Sequence, residues 1–329
     1  MQEQNIDQIR SASDTSVQTK TRKDRSGFLD RILTNQKIVG YLFISPWFIG
    51  FMIWTLGPFL ASIGLSLLDW GLLGAWRFVG LGNYQRMFMT DGRYRTALMN
   101  TFMFVIVTVP LRQVIALCIA LLVNQALRGI FIYRTVFYLP SVTSGVATAI
   151  LWTQIFGFRL GIFNAFLERI GIPGQPWLTS IQWALPTLMF ISLWNVGSTF
   201  IIYLAGLVGV PRHYYEAAEV DGATVLQRFR KITIPLITPT IFFNVVMGFI
   251  GSFQVFTDAY VMTGGGPADR TLFYVLYLYF RAFRDFRMGY AAAMAWVLFL
   301  IILMLTIGQI KLSQRWVYYE GAAPTAQQI

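Results

Sequence analysis

The sequence predicts an all-α integral membrane protein with six transmembrane helices, on three observations. Of its 329 residues, 56% are hydrophobic and only 12% are charged, against about a quarter charged in a soluble domain. Its apolar runs are long enough to cross about 30 Å of hydrocarbon, which takes roughly 20 residues. Those runs recur along the chain, separated by polar segments too short to be domains.

Taken in order, residues 1–37 are polar and carry Lys20, Arg22, Lys23, Arg25, Arg31 and Lys37. Residues 1–25 are expected to be disordered. Residues 26–36 read either as a short interfacial helix around Phe28, Leu29, Ile32 and Leu33 or as more solvated tail. No apolar region followed by a small-residue cleavage site lies close to the start, so the first span is expected to stay as an anchor. A membrane domain, 38–316, then holds spans at about 39–67, 98–123, 135–156, 184–208, 237–260 and 289–310. Pro46, Pro58, Pro110, Pro140, Pro186 and Pro239 fall inside or at the ends of these spans and read as kinks. Segments 68–97, 157–183 and 261–288 are expected as outside loops, and 317–329 as a cytoplasmic tail.

The net charge of +11 is spread over short loops and one tail. That spread marks cytoplasmic ends lying against anionic lipid and argues against nucleic acid as a partner. With the N-terminus inside, cytoplasmic segments hold 15 Lys/Arg and outside segments 10. Without the tail the balance reverses to 8 against 10, so orientation rests on the tail beside span one. Both termini are then cytoplasmic. A lone Cys118 and a lone His213 exclude a disulfide framework and a Cys/His metal cluster.

Between spans four and five lies the segment 209–235. Gly209-Val210-Pro211 ends one helix and starts another, and Tyr214 to Val220 suit a short helix on the membrane surface. Ala217 and Ala218 are small enough for close approach to a partner groove. Gly222 allows a sharp turn, and Phe229, Ile232 and Ile234 lead back to the bilayer at Pro235. Glu216 is placed either to meet a cation on a partner or to stabilise the first turn of this helix.

The spacing E-A-A-x3-G-x9-I-x-[LI]-P, carried by Glu216, Ala217, Ala218, Gly222, Ile232 and Pro235, resembles the ATPase-docking loop of permease subunits in binding-protein-dependent ABC importers. Further stretches resemble the sugar class, in particular the maltose-permease-like half of a two-permease pore. These are Phe43-Ile44-Ser45-Pro46-Trp47, Asn100-Thr101, Phe137-Tyr138-Leu139-Pro140, Thr263-Gly264-Gly265-Gly266-Pro267 and Gly289-Tyr290-Ala291-Ala292-Ala293. The glycine run follows a membrane helix, not a strand, so it reads as a tight turn and not as a phosphate cradle. The resemblance implies a type I ABC importer permease fold in a bacterial cytoplasmic (inner) membrane. It also implies a second homologous permease, two copies of an ABC ATPase and an extracytoplasmic substrate-binding protein delivering a saccharide, acidic or oligomeric sugars included. No cofactor is expected on this chain. ATP and Mg belong to the partner ATPases, because no G-x4-G-K-[ST] occurs here and none of the 5 lysines follows a glycine.

The resemblance places the sugar path on the spans flanking the loop. On span four, Ser192, Asn195 and Ser198 recur every third residue. On span five, Asn244, Gly248, Gly251 and Ser252 share a face with Val255. Their hydroxyls and amides suit a saccharide, while Trp194, Phe253 and Phe256 offer stacking surfaces. Close helix packing is the competing explanation for the same small residues. Arg112 sits halfway along span two, where a cation costs about 2.5–3.5 kcal/mol on insertion scales. It either pairs with Asp258 or with carbonyls beside Pro110, or lines the path and meets an anionic substrate. The alternative function, a self-sufficient ion-coupled secondary carrier, would need a mid-membrane ionisable relay, for which Arg112 and Asp258 are poor material.

Overall fold

The computed structural model describes residues 36–71, 74–125 and 129–318. The expected tail 1–25, nearly all of the expected interfacial helix 26–36 and most of the expected tail 317–329 lie outside them. The chain divides into two compact units, residues 1–62 and 63–329.

The first unit holds the helix Gln36–Phe51, a π-helical turn, Met52–Leu56, and the start of the helix Gly57–Ser66. Its side chains Tyr41, Phe43, Trp47 and Trp54 are exposed, as befits a surface whose solvent is lipid.

The second unit is organised on one long helix, Gly92–Val123, here span two. Asp91 caps it, accepting from Tyr94 N at 3.1 Å, which answers one of the orphan donors of the first turn. Thr101 and Thr108 donate back to Ala97 O and Phe104 O at 2.8 and 2.7 Å, so neither hydroxyl is bare in the apolar interior. Around span two pack the helices Ala184–Ser192, Gly197–Val208, Thr238–Phe253 and Tyr274–Tyr279. Span six, Met288–Ser313, lies against Thr238–Phe253.

Four helical runs are long and apolar enough to cross a membrane: Val39–Ser66, Gly92–Val123, Thr238–Met262 and Met288–Ser313. Two further pairs bring the number to six if each pair is one span. Ile130–Val142 meets Gly145–Ile155 at 100°, and Ala184–Ser192 meets Gly197–Val208 at 40°. Spans three and four are therefore broken, not merely kinked. In span three the cause is local. Pro140 supplies no N–H, and the hydroxyls of Ser141 and Thr143 take the carbonyls of Tyr138 and Pro140 at 2.7 and 2.8 Å. Thr143 then adopts an extended backbone, φ −73° and ψ 146°. In span four the second half begins at Gly197, where a Cβ would come within 2.9 Å of Phe137 O. Only glycine lets these two helices cross so closely.

The segment expected as the third outside loop is instead among the most buried of the described residues. Leu272, Phe273, Tyr274, Leu276 and Tyr277 have no accessible surface. Asn100 donates to Asp269 O at 2.8 Å and Leu272 O at 3.2 Å, while Tyr274 N donates to the Thr101 hydroxyl at 2.9 Å. The glycine run does turn tightly, with φ of 59° at Gly264 and 88° at Gly265. At the other end Tyr318 N donates to Thr238 Oγ1 at 2.9 Å, so the packed chain continues past 316.

Candidate functional site: a cleft between broken spans and a surface loop

Two regions carry the candidate residues. In the first, a cleft of about 90 Å³ forms where the breaks of spans three and four meet spans two and five, lined by Arg112, Thr143, Ser192, Trp194, Asn195 and Asp258 among others. Irregular backbone at membrane depth is tolerated where it is buried in protein or borders a cavity. Arg112 donates from its terminal nitrogen to Ser192 O at 3.0 Å, a carbonyl left open by the break of span four. Its Nε is buried without a hydrogen-bond partner. Among the described residues no ion pair joins Arg112 to Asp258, although both line this cleft. The expected partner near Pro110 is thus replaced by the end of another helix.

The remaining path candidates separate. Ser192, Asn195 and Ser198 do not share one regular helical face, because Asn195 lies in the break between the two halves of span four. Ser192 and Asn195 reach the cleft, whereas Ser198 is exposed and does not line it. Asn244 is buried and its carbonyl accepts from Gln113 Nε2 at 3.0 Å. A Cβ on Gly248 would sit 2.9 Å from that same Gln113 nitrogen. Asn244 and Gly248 therefore serve the contact between spans two and five. Ser252 is buried with no partner for its hydroxyl, and Gly251 is exposed. Of the proposed stacking rings, Trp194 lines the cleft, edge-on to Trp152 at 5.6 Å. Phe253 is instead core, against Phe102 at 5.1 Å, and Phe256 stacks on Tyr260 at 5.2 Å. Thr143 and Thr148, hydrogen-bonded to each other at 3.1 Å, line the cleft but were not singled out in the sequence. The signal for Thr143 was the run Ser141-Val142-Thr143-Ser144-Gly145 after Pro140.

The second region is the loop 209–235. Its first helix, Arg212–Val220, has no buried residue. Glu216 is exposed and lies past the first turn of that helix, beyond the free N–H groups. The helix-dipole role for Glu216 is thereby removed, leaving a side chain directed to solvent. Gly222 takes φ 74° just after the helix, and Ala223 N closes on Ala218 O at 2.8 Å. Thr224 and Gln227 form a reciprocal capping box for the next helix, Val225–Arg228. Arg228 pairs with Glu219 at 3.3 Å across the turn, which gives this arginine a structural role. Tyr215 OH meets Thr233 Oγ1 at 2.9 Å, and Tyr215, Ile232 and Ile234 pack on the core cluster around Leu207, Val210 and Ile237. The loop is anchored at its base, while its tip presents Val220, Val225 and Leu226 to solvent at 89%, 74% and 57% exposure.

Residues 91–318 match the family described as binding-protein-dependent transport system inner membrane component. The chain belongs to this family. It is a membrane permease, the non-catalytic pore subunit of an ABC importer, and ATP hydrolysis in such systems belongs to separate chains. The permease is 47% identical to the probable ABC transporter permease protein YesP of Bacillus subtilis, over 88% of this chain and 95% of that one. It is 37% identical to the lactose transport system permease protein LacF of Rhizobium radiobacter, over 82% and 92%. A chain of a bacterial ABC transporter involved in import of the acidic polysaccharide alginate shares the permease's fold, with a TM-score of 0.75, 24% identity and coverage of 84% and 95%.

Proposed function

We propose that the permease forms one half of the pore of an ATP-driven saccharide importer in a bacterial inner membrane. Its partners are a second homologous permease, two copies of an ABC ATPase that carry ATP and Mg, and an extracytoplasmic binding protein that delivers the sugar. The observation that supports this reading most is the loop 209–235, with its anchored base and its exposed, partly apolar tip. Glu216, Ala217, Ala218, Gly222, Ile232 and Pro235 form the ATPase-docking unit. Because the motor is a separate protein, coupling is mechanical: ATPase closure moves the loops, and the spans that continue from them reshape the pore. The loop lies on the cytoplasmic side with both termini. A saccharide cargo is supported by the lactose system in which LacF works and by the hydroxyls, amide and indole around the cleft.

A native mass spectrum of the complex, extracted gently from its own membranes, tests the proposal. A mass equal to this chain, one similar permease and two ATPases supports it. This chain alone, or paired only with itself, in several mild detergents overturns the proposed assembly.

A further inference from the structure

We propose that the cleft at the breaks of spans three and four recognises the carboxylate of an acidic saccharide, with Arg112 as the anion contact and Asp258 accepting from the sugar's hydroxyls. This rests on the saccharide reading above and deepens it.

Among the described residues, Arg112 is the only cation placed deep inside any of the spans, and Asp258 is the only carboxylate within one. Placing such a group there is costly, and a purely structural pair would be expected to recover that cost by direct contact. These two attract each other as charges across the cleft but make no direct contact. Arg112 spends one donor on Ser192 O and leaves its buried Nε without a partner. A guanidinium offers five donors in a planar fork that matches a carboxylate. The second contribution comes from span three. Its outer half, the 11-residue helix Gly145–Ile155, starts at Gly145 on the cleft wall. The first intrahelical donor there is Thr148 N, bonded to Ser144 O at 3.0 Å, so the N–H groups before it are open. Broken spans commonly direct such half-helix N-termini at anionic groups.

Asp258 makes no hydrogen bond or ion pair among the described residues, and its oxygens can only accept when ionised. Sugar hydroxyls are donors of the right kind. Trp194 adds a half-exposed indole face for the apolar side of a ring. The same carboxylate disfavours a dianionic sugar phosphate, since a second negative charge would face Asp258 with no second cation present. A monoanionic uronate fits the charge of the cleft better.

The test is equilibrium binding to the detergent-purified complex without its binding protein, so that the pore alone discriminates. The probes are a panel of uronate disaccharides, digalacturonate included, and their carboxyl-reduced neutral counterparts. The expected result is that at least one uronate binds about tenfold or more tighter than its neutral counterpart. Arg112→Gln should bring that pair to within about twofold, and Arg112→Lys should keep part of the preference. The quantity compared is the uronate-to-neutral ratio within each variant, so that a general loss of binding cancels. If neutral and acidic sugars bind the wild type alike, or if Arg112→Gln weakens both in proportion, Arg112 is structural and this inference falls while the saccharide reading stands. If no saccharide of either kind binds or is taken up by the reconstituted importer, the saccharide reading falls and takes this inference with it.

Discussion

Gln113 and Tyr203 share a buried hydrogen bond of 2.8 Å, from the tyrosine hydroxyl to the amide oxygen. The amide nitrogen of Gln113 in turn donates to Asn244 O at 3.0 Å. One side chain on span two thus ties together the two spans that flank the loop 209–235, at the level where Gly248 lets span five approach span two.

Breaking that linkage is expected to destabilise the protein and impair coupling. Gln113→Leu keeps the volume but leaves the Tyr203 hydroxyl without its acceptor. Interhelical hydrogen bonds in membranes contribute about 0.6 kcal/mol on average and up to about 1.7. A loss of about 1 kcal/mol should therefore appear as a lower thermal midpoint in detergent. Gly248→Ala should act in the same direction, since its methyl would displace Gln113. Midpoints unchanged in both variants would make the network incidental.

Asp91 predicts an acid-dependent stability. Burial works against its carboxylate, but hydrogen bonds from Tyr277, Tyr290 and Tyr94 N, with the charge of Arg281, outweigh burial and hold its pKa below the ordinary 3.8. A carboxyl depressed in the folded state contributes stability above its unfolded value, which is lost as pH falls through the folded one. Asp91→Asn should lower the thermal midpoint near neutral pH. The gap to wild type should narrow as pH falls below about 4. Parallel curves down to the acid limit would show that the charge on Asp91 contributes nothing.

Gly222→Val tests the shape of the loop 209–235 and its proposed docking role. At φ 74° a side chain costs about 1–2 kcal/mol, enough to populate another loop conformation while the anchored spans stay intact. The variant should reach the membrane at normal abundance, yet transport should drop by an order of magnitude or more, about the tenfold per 1.4 kcal/mol of an equilibrium. Uptake measured per molecule of permease decides it.

Leu226→Asp probes the tip alone. Leu226 is 57% exposed, so folding should be within about 0.5 kcal/mol of wild type, as for ordinary surface changes. Copurification of the ATPase should nonetheless fall sharply. Retained ATPase at wild-type levels would remove the tip from the interface.

Much of this was legible in the linear chain. The span positions followed from length and hydropathy, because twenty apolar residues have few alternatives to a membrane helix. The loop 209–235 was legible because turn glycine, prolines and helix-forming residues act locally. The cleft was legible only in part. Arg112 stood out by its cost in hydrocarbon, but its contact with Ser192, 80 residues away, depends on a break in another span. Asn244, Gly248 and Phe253 carried the composition of a sugar site yet turned inward to helix contacts. Serine, glycine and asparagine serve packing and recognition equally well, and only neighbours distinguish the two.

By itself, then, the sequence determined the membrane class, the order of the spans and the local build of the loop 209–235, since each depends on side chains within a few residues of one another and on the surrounding solvent. Tertiary structure alone decided that spans three and four break, that the segment Leu272–Tyr277 is buried, and which polar residues share the cleft. Those outcomes depend on contacts such as Asn100 with Asp269 and Gly197 with Phe137. Their energies exist only once distant helices have met.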